Sequence, residues 1–105
     1  MSAALDYMKE TYKEFKAGDY TFSKVRPAIK CADGFTMSVQ GSDTHYCTPR
    51  RNGSTFTEVE IGFPSEKVDE FMPYCEDEEN PTGTVYAYVP VEIVDAVIKK
   101  HGGLA

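Results

Sequence analysis

The chain has no tryptophan, only two histidines, and no uncharged apolar run approaching the roughly 20 residues that cross a bilayer. Its first 18 residues, MSAALDYMKETYKEFKAG, carry charges every few positions and lack the apolar core of a secretory signal. A soluble, unsecreted protein is therefore expected. Cysteine is scarce and odd in number: Cys31, Cys47 and Cys75 cannot all pair within one chain, so free thiols in a reducing cytosol are expected. Basic residues are the scarcer charge, 11 against 17 acids for a net charge of −6, which argues against a general nucleic-acid binder. Missing too are a Gly-rich phosphate loop before a helix, a Gly-x-Ser-x-Gly elbow and a His-Glu-x-x-His pair, so the common enzyme mechanisms lack their signatures. No enzyme activity and no cofactor are expected.

What is present suffices for one domain over residues 1–105. Hydrophobic residues make up 41% of the chain, enough to build a core without metal or disulfide staples. The charge is unevenly placed. Residues 24–51 hold Lys24, Arg26, Lys30, Arg50 and Arg51 against Asp33 and Asp43, whereas residues 54–95 hold eleven acids against Lys67 alone. A basic third precedes an acidic one.

Hydrophobic spacing assigns the elements. Leu5, Met8, Tyr12 and Phe15 recur at steps of three and four, predicting an amphipathic helix over 3–17 that stops at Gly18; its apolar stripe is core in preference to a partner-binding face. Val25, Ile29 and Cys31, the turn residues Ala-Asp-Gly, and Phe35, Met37 and Val39 predict a hairpin, with Pro27 at an edge or bulge. Asn52-Gly53 between HYCTPR and TFTEVEIGF predicts a second hairpin with a tight turn, putting Arg50 and Arg51 at its tip and leaving Glu58 and Glu60 on a wet face. Ser65 is expected to cap a short helix with Val68, Phe71 and Met72, ended by Pro73. TVYAYVP is expected as a strand with Val85, Ala87 and Val89 on one face, Tyr86 and Tyr88 on the other. The closing helix runs through VEIVDAVIKK, with Glu92 and Asp95 early, Lys99, Lys100 and His101 late, and Gly102 as cap. The sum is an α+β domain with a mostly antiparallel sheet of about five strands and three helices.

The segments VRPAIKCADGFTMSVQ, HYCTPR, EVEIGFPSE and TVYAYVPVEIVDAVIKKHGG together resemble a set of short proteins of no assigned activity encoded in bacteriophage and prophage genomes. The resemblance covers roughly residues 24–103. It implies a small protein made in the bacterial cytoplasm that binds and neutralises a host factor.

Several clusters carry chemistry. In DTHYC, an extended backbone would place Asp43, His45 and Cys47 on one side, a candidate nucleophilic relay for a small hydrolase or transferase. Neighbours two apart on a strand stand about 6 to 7 Å apart, however, too far for hydrogen bonding, so a partly buried Cys beside a surface His outweighs it. Cys31, His45 and Cys47 could bind zinc with Cys75 or His101, but the paired ligand spacing of zinc sites is missing, and no metal is assigned. The run Glu76–Glu79, with Glu58, Glu60, Asp69 and Glu70, could mimic a phosphate backbone for a basic groove, against the plainer reading of a solvated loop. The basic hairpin is the leading candidate. Arg26, Arg50 and Arg51 near Tyr46, Phe56 and Tyr86 or Tyr88 would suit a small anionic nucleotide-like ligand, because guanidinium forks clasp phosphates and rings stack on bases. The expected partners are such a ligand or a host protein, not a membrane, and self-association stays open.

Overall fold

A computed structural model of the chain describes residues 2–12, 14–17, 20–23, 25–53 and 55–105, with the backbone path alone at 14–17 and 20–23. Helix α1 spans Ala3–Thr11. Ser2 caps it by accepting the Leu5 N–H at 3.1 Å, and Asp95 from the far end of the chain accepts both the Ser2 hydroxyl (3.0 Å) and the Ala4 N–H (2.9 Å). A carboxylate there meets the orphan donors and the positive end of the helix dipole. Asp95, expected to serve the first turn of its own helix, thus caps another.

The first helix is shorter than its stripe predicts. Tyr12 is already extended, and Glu14–Ala17 (β1) pairs antiparallel with Tyr20–Ser23 (β2), Phe15 opposite Phe22. The aromatic and Thr content of YTFS favours an extended ribbon over a fourth helical turn. The predicted stop at Gly18 and the basic Lys24 lie outside the described residues.

The first predicted hairpin forms, with Ile29–Lys30 (β3) and Thr36–Gln40 (β4) in the register Ile29↔Met37 and Lys30↔Thr36. Gly34 supplies the left-handed residue of its turn at φ 95°, and Asp33 Oδ1 accepts the Phe35 N–H at 3.0 Å. Glu58–Gly62 (β5) and Val85–Pro90 (β6) complete an antiparallel sheet of order β3-β4-β5-β6. The sheet has four strands where about five were estimated, because HYCTPR stays irregular: only Thr48 bridges to Glu58. The Thr48–Pro49 peptide is cis, and neither Asn52 nor Gly53 has positive φ, so the expected type I′ turn is absent.

A bulge resets β6. Val59 faces Val89 and Ile61 faces Tyr86, so three steps on β6 oppose two on β5. Tyr88 takes up the extra residue at φ 54°. Tyr86, expected beside Tyr88, is consequently fully buried, while Tyr88 is 40% exposed.

Asp69–Tyr74 is a 3-10 helix with Pro73 inside rather than after it. Ser65 does not cap it; its Oγ accepts the Thr36 N–H at 3.0 Å, tying this loop to β4. Helix α2, Val91–Lys100, matches its sequence signals and buries Val91, Val94, Val97 and Ile98, each contributing about 1.5 to 3 kcal/mol when fully buried. Gly102 at φ 90° closes it: Gly103 N–H donates to Ile98 O and Gly102 N–H to Lys99 O. Helices α1 and α2 pack on each other and against the apolar sheet face of Ile29, Met37, Val39, Val59, Ile61 and Val89. Both sheet edges are covered, β3 by bonds from Ala32 to Gly103 and Ala105 to Lys30, and β6 by a bond from Glu76 to Val85. Among the described residues no helix is long and apolar enough to cross a membrane.

Candidate binding face

The five residues proposed from sequence divide into two groups. Arg26 is 3% exposed, and its guanidinium donates to three carbonyls: Met8 at 3.1 Å, Gly41 at 2.9 Å and Gly53 at 2.8 Å. Its backbone is held as well, through a two-way exchange with the Gln40 amide (2.8 and 2.7 Å), and its guanidinium lies over the Tyr12 ring. Burial depresses its pKa, yet the partners keep it a charged strut joining α1, the end of β4 and the 53 loop. Phe56 is also core, packed so closely on Gly41 that an added Cβ there would lie 2.7 Å from its ring. These two residues serve the fold.

Tyr46, Arg50 and Arg51 remain exposed. Arg50 sits over the Tyr46 ring, 5.4 Å from its centroid, and the Tyr46 ring lies 6.0 Å from that of Tyr88, tilted by 42°. The Tyr88 N–H donates to Tyr46 O at 3.1 Å, so the bulge on β6 and the loop after β4 meet here. Neither Arg50 nor Arg51 makes an ion pair within 4 Å among the described residues. Two exposed tyrosine rings and the Arg50 guanidinium therefore meet at one surface, with exposed Arg51 next in the loop. For the alternative that these arginines pair with local carboxylates, the described residues show no contact within 4 Å, although the Arg50 charge acts at longer range on Glu60.

Beneath this surface the loop covers Glu60, whose carboxylate was expected to be wet. It stands 3.8 Å from His45 Nε2, with side-chain exposures of 14% and 17%, and the Tyr46 backbone amide favours its charged form. His45 Nδ1 is 2.6 Å from Ser42 Oγ. Burial pushes Glu60 upward and His45 downward, in the latter case reinforced by Arg26. The Cys47 thiol donates to the Ser42 and Pro49 carbonyls at 3.2 and 3.4 Å, and burial holds its pKa up. Asp43, His45 and Cys47 are not on an extended strand; His45 Nδ1 is engaged with Ser42 Oγ and the Cys47 thiol with two carbonyls, so the described residues do not form the expected relay. Ser42 itself is 2% exposed, out of reach of a substrate. Among the described residues no group of three or more His, Cys, Asp or Glu is arranged to hold a metal ion.

One cluster had no sequence signal. His101, at the C-cap of α2, is 8% exposed and stacks on Phe35 at 4.1 Å; its Nδ1 lies 2.7 Å from Asp33 Oδ2 and its Nε2 3.7 Å from Glu66 Oε1. An open cavity of about 330 Å³ lined by Asp33, Gly34, Phe35, Ser65 and Glu66 adjoins it. The partners are 68 and 35 residues away in sequence, so only the folded sheet brings them together. Its bonds tie the end of α2 to the β3–β4 turn, a structural task. No protein-family model, curated protein or solved structure matches this chain.

Proposed function

We propose that this chain is a non-enzymatic binding protein of the bacteriophage-accessory kind, which captures an anionic nucleotide-like ligand on Tyr46, Tyr88, Arg50 and Arg51 and so neutralises a host component. The observation that carries this reading is Arg50 seated over the Tyr46 ring beside Tyr88, with neither it nor Arg51 in an ion pair within 4 Å among the described residues, in a chain of net charge −6. A base stacked on such a ring contributes about 1 to 3 kcal/mol, and each charge-assisted contact to phosphate about 1.5 to 3 kcal/mol. The surrounding acidity favours a single nucleotide over a long polyanion.

The chain has no tryptophan but seven tyrosines, so the share of the emission that belongs to Tyr46 and Tyr88 is isolated by comparison with Tyr46→Phe and Tyr88→Phe. Titration with nucleotides should give saturable quenching that weakens at least tenfold in Arg50→Ala with Arg51→Ala and that falls with added salt. Arg50→Lys should also bind worse, since an ammonium lacks the planar fork. Absence of saturable binding across a nucleotide panel, or wild-type affinity in the double variant, would overturn the reading. A second reading rests on the exposed Glu76–Glu79 run, which could engage a basic host protein. Reversing those four acids to Lys should then abolish inhibition of the host target while the arginine variants stay active.

A further inference from the structure

We propose that ligand capture on this face is linked to uptake of a proton by the His45–Glu60 pair beneath it, an inference that rests on the binding reading above. Glu60 lies under the loop, its mostly buried carboxylate 3.8 Å from His45 Nε2. That gap is too long for a hydrogen bond and short enough to close into an ion pair once the imidazole is charged. Arg50 acts on both groups, favouring the Glu60 carboxylate and opposing a proton on His45. With the face empty, Arg50 therefore compensates a mostly buried carboxylate.

A bound phosphate competes for the same guanidinium. Once Arg50 is committed to it, the negative charge of Glu60 is left with less compensation in a place where solvent screens poorly. One proton relieves this, on His45, which then pairs with Glu60, or on Glu60 itself. Both groups are poised for it, since burial already raises Glu60 and the Arg50 charge is one of the forces keeping His45 neutral. The other charges facing the pair are Arg26, which opposes a proton on His45, Asp43, which favours it, and Glu76, which favours a proton on Glu60. Linkage makes the effect reciprocal: if the ligand raises proton affinity, lower pH tightens the ligand.

The probe is adenosine 3′,5′-cyclic monophosphate, whose phosphodiester does not itself titrate near neutrality. Calorimetry at pH 6 in two buffers of different ionisation heat should show uptake of a fraction of one proton per ligand. Affinity should rise roughly threefold to tenfold from pH 7.5 to pH 5.5. Glu60→Gln keeps the size and polarity of the side chain and should lose the uptake and the pH dependence together. The wild-type protein gives an independent readout: the His45 ring resonance should titrate at higher pH in the presence of ligand. Binding with no proton uptake and no shift of His45 would overturn the linkage while leaving the face intact. Loss of binding at every pH would overturn the binding reading and this inference with it.

Discussion

Arg26→Ala tests whether the most buried base is a strut. The substitution removes three charge-assisted hydrogen bonds and strands the carbonyls of Met8, Gly41 and Gly53, two of those bonds being fully buried. An unsatisfied buried acceptor costs about 1 to 3 kcal/mol, but deleting the guanidinium also recovers its desolvation penalty. Water reaching the Gly53 end lowers the cost further. The net expectation is a loss of about 3 to 5 kcal/mol, a large share of the roughly 5 to 15 kcal/mol typical of a whole domain. Arg26→Lys should fall between, because a compact ammonium cannot span three carbonyls around a planar fork. Urea unfolding followed by tyrosine emission measures both variants. A loss below about 1 kcal/mol for the alanine variant, with an unchanged denaturant slope, would refute the strut and return Arg26 to the pool of ligand-binding residues.

Gly41→Ala should destabilise by about 1 to 3 kcal/mol, since its Cβ would meet the Phe56 ring at 2.7 Å and Met8 Cε at 2.9 Å; an unchanged melting temperature would deny that packing. Asp33→Asn should lower the urea midpoint at pH 7. The Phe35 N–H, then the His101 side chain, hold the Asp33 carboxyl below its usual range, so its contribution is present above the unfolded pKa and lost as pH falls through the folded one. The difference from wild type should therefore close as pH falls below the ordinary carboxylate range, and a constant difference would refute the assignment. A thiol reagent should modify half-buried Cys75 fast in the native protein, with Cys31 and Cys47 following only on unfolding, because both are buried with raised pKa values. Equal native rates for all three would contradict their burial.

Period and turn chemistry made the β3–β4 hairpin and α2 legible, because there the local and tertiary preferences agree: Asp33-Gly34 is the turn it reads as, and the Val91, Val94, Val97 and Ile98 stripe is the buried one. Elsewhere distant partners outvoted local signals. Asn52-Gly53 reads as a hairpin turn, but Gly53 O is recruited by Arg26, 27 residues upstream, and the loop folds over Glu60 instead of pairing along β5. Arg26 looked like a ligand residue because a sequence shows charge and not burial. The alternation of TVYAYVP could not reveal an inserted residue, so Tyr86 was placed on the wrong face. Of the candidate face, Tyr46, Arg50 and Arg51 were visible as an aromatic beside bases; Tyr88 joins them only through the bulge.

That bulge also allows stability and binding to be separated at one position. Tyr88 holds φ 54°, where a side chain costs about 1 to 2 kcal/mol relative to glycine, so the strand pays a strain that the exposed ring does not repay by burial. Tyr88→Gly removes both the ring and the strain, at an entropic cost of about 0.5 to 1 kcal/mol. Tyr88→Ala removes the ring and keeps the strain. If strain is the dominant local term, the glycine variant should be the more stable of the two, by up to about 1 kcal/mol, and close to wild type. If the ring belongs to the binding face, both variants should lose nucleotide quenching to the same degree, whatever their stability. Affinity that tracks stability across the pair would show that Tyr88 acts through the fold alone. Equal loss at unequal stability would identify the bulge as the feature that holds an aromatic ring out of the core and beside Tyr46, at a net cost the sheet would otherwise avoid.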